Sequence, residues 1–179
     1  MDVARSLAER LVVVPYFEIA GILKDRGGGD PAEAGGAWDA VRSELGKLLD
    51  AGFNTIRVDL EPLVSGRLAA DAPTGAEGEL YHSMLAELDR AGTRIQVFTG
   101  MKRDWKHNTM LNDPQRIVRL YPVFDRYPNA QFEFVNAAAG NDLDILQAAR
   151  VFTNVHPGGL WWFNFRASSY RAMLQQRFE

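Results

Sequence analysis

Three groups of residues carry side chains and spacings from which chemistry could be built. Asp59 and Glu61 stand two apart at the end of the segment FNTIRVDL (Phe53 to Leu60). In a strand, that spacing puts both carboxylates on one face, where a pair could exchange a proton with a substrate or hold a hard cation. Two solvated or salt-bridged carboxylates at a strand end are the plainer reading, and the favoured one. Lys102 and Arg103 follow Gly100 within MKRDWKHN. Two cations there suit an anionic substrate, because a guanidinium meets a carboxylate with a two-pronged fork; ordinary surface charge is an equal alternative. Trp161-Trp162-Phe163-Asn164-Phe165-Arg166 is the densest aromatic segment. Aromatic walls beside an amide and a guanidinium make a sugar site, through stacking plus directional hydrogen bonds. An aromatic core plug is the other reading, and composition alone favours it slightly.

Other chemistries find little support. The three histidines, His82, His107 and His156, form no HxH or HExxH pattern, so no metal set is complete. His82, within a helical pattern, is expected to be a surface or packing histidine, while His156 could point inwards from a strand. There is no cysteine, which removes disulfides, thiolate nucleophiles and thiolate metal sites. No serine sits in a GxSxG turn, and no GxGxxG or GxxxxGK[ST] opens a helix after a strand. Twenty basic against 23 acidic residues give a net charge of −3. That balance offers no surplus to track a phosphate backbone, so no nucleic-acid partner is expected. The early apolar run, Leu11 to Pro15, is far short of the roughly 20 residues a membrane-crossing helix needs. A soluble, cytoplasmic protein with no membrane partner is expected.

The elements that position these residues alternate along the chain. Leu11 to Val14 reads as a strand buried on both faces. Trp38, Val41, Leu45, Leu48 and Leu49 mark a helix closed by Gly52. Phe53 to Leu60 is the next strand, then a helix through Leu80, Met84, Leu85 and Leu88 closed by Gly92, then a strand from Arg94 to Thr99. Asp113-Pro114 starts a helix carrying Ile117 to Phe124, which Pro122 should kink or end. Gln131 to Asn136 is a strand and Leu143 to Val151 a helix. Asn154 to Phe163 is a strand interrupted at Pro157-Gly158-Gly159, and Ala167 to Phe178 a last helix. Lys24 to Gly36 and Glu61 to Gly78 read as loops by composition. About five strand–helix units imply an α/β fold with a parallel sheet. Its closure is either an open doubly wound sheet or part of a (β/α)₈ barrel, which needs ~250 residues in full.

The carboxyl-terminal half adds a resemblance. IQVFTGMKR (Ile95 to Arg103), NDPQRIVRLYPVFDRYPNAQFEFVN (Asn112 to Asn136) and DILQAARVFTNVHPGGLWWFNF (Asp144 to Phe165) resemble, in order and spacing, strands five to seven of the amidohydrolase superfamily. GLWWFNF is most similar to the uronate (glucuronate) isomerase branch. The resemblance covers Tyr81 to Glu179 and extends only loosely over Met1 to Gly78.

It implies a (β/α)₈ TIM-barrel-like fold, with residues 1–179 as one domain spanning about strands three to seven, an internal piece or a truncated form. It implies aldose–ketose isomerisation of a hexuronate, D-glucuronate to D-fructuronate. The family's divalent metal, zinc, is held by a HxH pair and an Asp that have no counterpart here, so turnover by this chain alone stays open. Phe98 and Asn136 stand where many superfamily hydrolases carry histidines, which favours the isomerase branch over a metal-dependent hydrolase. Trp161 or Trp162 would wall the substrate, with Asn164 beside them. Arg103 or Arg166 would meet the uronate carboxylate, with Lys102 as a further cation; no base is named. Open sheet edges lead us to expect a homo-oligomer. A catalytically silent sugar-acid-binding module is the alternative. A glycosidase using Asp59 and Glu61 ranks last, because its two carboxyls belong on different elements.

Overall fold

The computed structural model describes residues 14–19, 21–22, 34–100, 115–137, 142–160, 171 and 175. In chain order the elements are β1 (Tyr16–Phe17), α1 (Ala34–Asp50), β2 (Thr55–Val58), α2 (Glu61–Val64), α3 (Gly75–Arg90), β3 (Arg94–Gly100), α4 (Gln115–Val118), α5 (Tyr121–Arg126), β4 (Gln131–Ala137), α6 (Asp142–Val151) and β5 (Val155–Leu160). The five strands form one all-parallel sheet in the order β1-β2-β3-β4-β5. The fold is therefore α/β, as the alternating pattern implies.

The same helix ending delivers the chain into both β2 and β3. Gly52 and Gly92 adopt left-handed φ values of 84° and 61°, a region that costs a residue with a Cβ. After α1, the N–H of Gly52 donates to Leu49 O at 2.9 Å and that of Phe53 to Leu48 O at 3.2 Å. After α3, Gly92 donates to Asp89 O at 3.0 Å and Thr93 to Leu88 O at 2.9 Å. This paired bonding is the Schellman motif, which satisfies the last carbonyls of a helix and turns the chain sharply back. Both strands then begin two or three residues later.

Pro122 interrupts the helix, as expected, and opens the next one. It stands in the first turn of α5, where a missing N–H costs nothing. The helix break comes before it, at Arg119–Leu120, between α4 and α5. The composition-based loop from Glu61 to Gly78 contains α2 and the start of α3, and α2 also carries a proline near its start, Pro62. Of the expected first strand, Leu11 to Val13 lies outside the described residues, and the strand that joins the sheet is Tyr16–Phe17. The expected last helix also lies outside them, apart from Arg171 and Gln175.

The sheet has two unlike faces, and the register shows this directly. Ile56, Ile95, Phe132 and Val155 pair into one level across β2 to β5, all buried. Phe17, Val58, Val97 and Phe134 form a second buried level. Onto this side pack Val41 and Leu45 of α1, Leu85 and Leu88 of α3, Phe124 of α5 and Ile145 of α6. The alternate positions carry polar side chains. Tyr16, Arg57, Gln96, Glu133 and His156 make one continuous row across all five strands, half-buried or exposed throughout. Gly158 lets part of that row lie flat. A Cβ there would meet Glu133 Cγ and Phe134 O at 2.7 Å each, so only glycine permits the approach, beside the β4–β5 register shift.

A strand order with no reversal has a physical consequence. Right-handed crossovers that always advance to the next strand place their helices on one side. A doubly wound sheet reverses its order once and so covers both faces. Here the apolar side is covered by helices and the other side is polar. No helix among the described residues is long and apolar enough to cross a membrane.

Candidate functional site at the carboxyl ends of the strands

Parallel α/β sheets hold their sites at the carboxyl ends of the strands. At that end, the polar side of β1 to β3 brings together Tyr16, Arg57, Asp59 and Phe98. Period-2 alternation in β2 buries Ile56 and Val58 and turns Arg57 to the polar side. The same alternation in β3 buries Ile95 and Val97 and leaves Phe98 on the side of Gln96. The Arg57 guanidinium carbon lies 4.5 Å from the centroid of the Phe98 ring, a cation–π stack.

Asp59 and Glu61 do not share a strand face. β2 ends at Val58 and Glu61 is the first residue of α2. Asp59 Oδ1 accepts the Glu61 N–H at 2.9 Å. This Asx turn satisfies one of the orphan donors that open a helix. The carboxylate thus ends β2 and starts α2, and the pairing of the two acids on one face is corrected.

Two phenols border the cluster. Tyr16 is pushed up to about 12, first by burial, then by the negative charges of Asp59 and Glu18, with Arg57 opposing. Tyr81, on α3 and buried, is raised above the ordinary tyrosine value, again first by burial, then by Asp59 and Glu77, with Arg67 opposing. At neutral pH both therefore keep their protons and are able to donate a hydrogen bond. Arg67 holds Glu77 with two hydrogen bonds, of 2.5 and 2.7 Å, fastening the loop after α2 to the first turn of α3. That bond is the main reason the Glu77 carboxyl lies below its usual range. Both partners are substantially exposed, so screening keeps the stabilisation below about 1 kcal/mol.

The histidines resolve into structural roles. His82 is buried. Its Nε2 lies 3.1 Å from Ala69 O and its Nδ1 2.8 Å from the Tyr127 hydroxyl, which also donates to His82 O at 3.0 Å. It is a packing histidine that ties the loop after α2 to α3 and to the end of α5. His156 is exposed rather than inward-pointing, 2.7 Å from Gln131 Oε1. The register sets Asn136 beside Thr99, and Phe98 beside Val135. No group of three His, Cys, Asp or Glu side chains among the described residues could hold a metal ion. The zinc implied by the resemblance thus finds no ligand set in them.

Lys102, Arg103, Trp105, His107, Trp161, Trp162, Asn164 and Arg166 lie outside the described residues. The strands that run into them, β3 and β5, end at Gly100 and Leu160 on the same edge as the Arg57 cluster. Tyr16, Arg57 and Tyr81 are the site residues that sequence reading missed. The available signal was Arg57 itself, a full charge in the middle of an otherwise branched-apolar strand (TIRV), where charged side chains are rare without a purpose. No family model matches this chain, and no curated protein and no solved structure matches it either.

Proposed function

We propose that the chain forms a segment of a (β/α)₈-type barrel and binds a hexuronate at the carboxyl ends of its strands, in the manner of the uronate isomerases. The sheet carries the reading: five parallel strands in unreversed order, apolar on the helix side and polar on the other. The wall of a (β/α)₈ barrel is built the same way, from consecutive parallel strands with every helix on one side. The motif order in the carboxyl-terminal half, GLWWFNF above all, supplies the substrate class.

Aldose–ketose isomerisation moves a proton between adjacent carbons through an enediolate. In such a site the protonated phenol of Tyr16 donates a hydrogen bond to a sugar oxygen, and cations hold the acid group. Lys102, Arg103 and Arg166 stay in the proposal as further cations, with Trp161, Trp162 and Asn164 as wall and amide. A divalent ion would supply Lewis acidity at the enediolate, and its ligands are assigned to none of the described residues.

Calorimetric titration of the purified chain with D-glucuronate, followed by NMR for D-fructuronate in the presence of zinc, tests this reading. Saturable, one-to-one binding of glucuronate supports it, with or without turnover. Binding with no product at any zinc level narrows it to the silent sugar-acid-binding module. The absence of glucuronate binding contradicts it.

A further inference from the structure

Arg57 stands inside a sheet strand, one residue before its carboxyl end, and makes no ion pair with any carboxylate among the described residues. A half-buried guanidinium is costly to desolvate without an acceptor for its N–H groups. Stacking on Phe98 occupies the flat face of the guanidinium at 4.5 Å. It directs the N–H edges away from the ring and fixes the plane of the fork. The register places Gln96 directly beside Arg57 on β3 and Tyr16 directly beside it on β1, about 4.8 Å away on each side.

We propose that Arg57, oriented by Phe98, is the receptor for the carboxylate of the bound sugar acid, with the Gln96 amide as its second donor. The assignment rests on the hexuronate reading above and adds to it the residue that distinguishes an acid from a neutral sugar. Direction of approach follows from the charges around the cluster. Glu18, the residue after β1, acts on Tyr16 and would repel an anion on that side. Over β3, Arg57 meets an uncharged neighbour in Gln96. The carboxylate therefore enters above β3, and the sugar hydroxyls extend toward Tyr16, whose phenol donates to them.

The test is calorimetric titration of the full chain and of Arg57→Gln and Arg57→Lys with D-glucuronate and with its neutral amide, D-glucuronamide. Loss of a two-pronged, charge-assisted contact is expected to weaken glucuronate binding about 10- to 100-fold in Arg57→Gln. Glucuronamide affinity should stay unchanged, so preference for the acid disappears. Arg57→Lys, which keeps the charge and loses the fork, should fall between. Equal thermal midpoints for the three proteins establish that they are folded to the same degree. Glucuronate binding that survives Arg57→Gln overturns the assignment and leaves the hexuronate reading intact, as does an equal loss for acid and amide. No glucuronate binding by the unaltered chain overturns both.

Discussion

Replacing Phe124 with alanine is expected to lower the stability of the fold by about 3–5 kcal/mol. Phe124 is 1% exposed and sits where α5 meets β4 and the end of α6. Its ring centroid lies 5.1 Å from that of Phe132, 5.3 Å from Phe152 and 5.8 Å from Phe134, the last two edge-on. Tyr121 packs edge-on against Phe152 at 4.9 Å and closes the cluster. Removing the central ring forfeits its own burial and leaves a cavity whose walls are a sheet on one side and helices on the other. Neither can collapse into it without breaking the backbone ladder. A typical domain is stable by only ~5–15 kcal/mol, so the variant should sit near its unfolding threshold. Urea denaturation reads the change directly, and a loss below about 1 kcal/mol would mean that this aromatic cluster is not the centre of the core.

Asn154 should matter almost as much, for a different reason. It is 4% exposed. Its side-chain amide donates to Phe124 O at 3.1 Å and to Tyr127 O at 3.0 Å. Those carbonyls belong to the carboxyl-terminal end of α5, where helical partners run out. Its backbone carbonyl accepts the Phe132 N–H at 2.7 Å as β4 begins. One residue thus caps a helix and aligns two strands. Asn154→Ala leaves two buried acceptors unsatisfied, at about 1–3 kcal/mol for each typical buried group, so a total loss of about 2–6 kcal/mol is expected.

Asn154→Asp separates hydrogen bonding from size. The new carboxylate has no N–H to give and faces two carbonyl oxygens, which raises its folded-state pKa above the unfolded value. A raised folded pKa means that stability is lost as the pH rises through the carboxyl range and regained as it falls. The Asp variant should therefore recover on moderate acidification relative to the Ala variant. Parallel pH profiles for the two variants would show that the amide hydrogen bonds do not carry the effect.

The sequence was legible where local chemistry and tertiary packing agree. Helices α1, α3 and α6 carry their apolar residues three and four apart, and the glycines expected to close the first two do so with left-handed φ values. Strands β2, β3 and β4 lie within a residue or two of their expected bounds. Pro122 was harder, because a proline inside an apolar period either ends a helix or begins the next one. The choice depends on where Leu120 packs, and Leu120 is fully buried.

Asp59 and Glu61 looked like a pair because spacing alone assumes one continuous strand. The Asx turn that separates them becomes visible only when Asp59 is found bonded to the Glu61 N–H. Strand order was not readable at all. Alternating strands and helices are compatible with a reversed or an unreversed sheet, and only the pairing of each strand with its predecessor distinguishes them. The row from Tyr16 to His156 emerges only once that register is fixed. No local pattern joins five residues spread over 140 positions of chain.

Under the proposal, the polar side of this sheet is a sugar-acid surface at the carboxyl ends of its strands. The most direct measurement is an NMR titration of the isotope-labelled chain with D-glucuronate. Resonances of Tyr16, Arg57, Gln96 and Phe98 should move together along one saturation curve, while those of Ile56, Ile95 and Phe132 on the helix-covered side stay in place. Movement confined to the helix side, or none anywhere at saturating glucuronate, would contradict it.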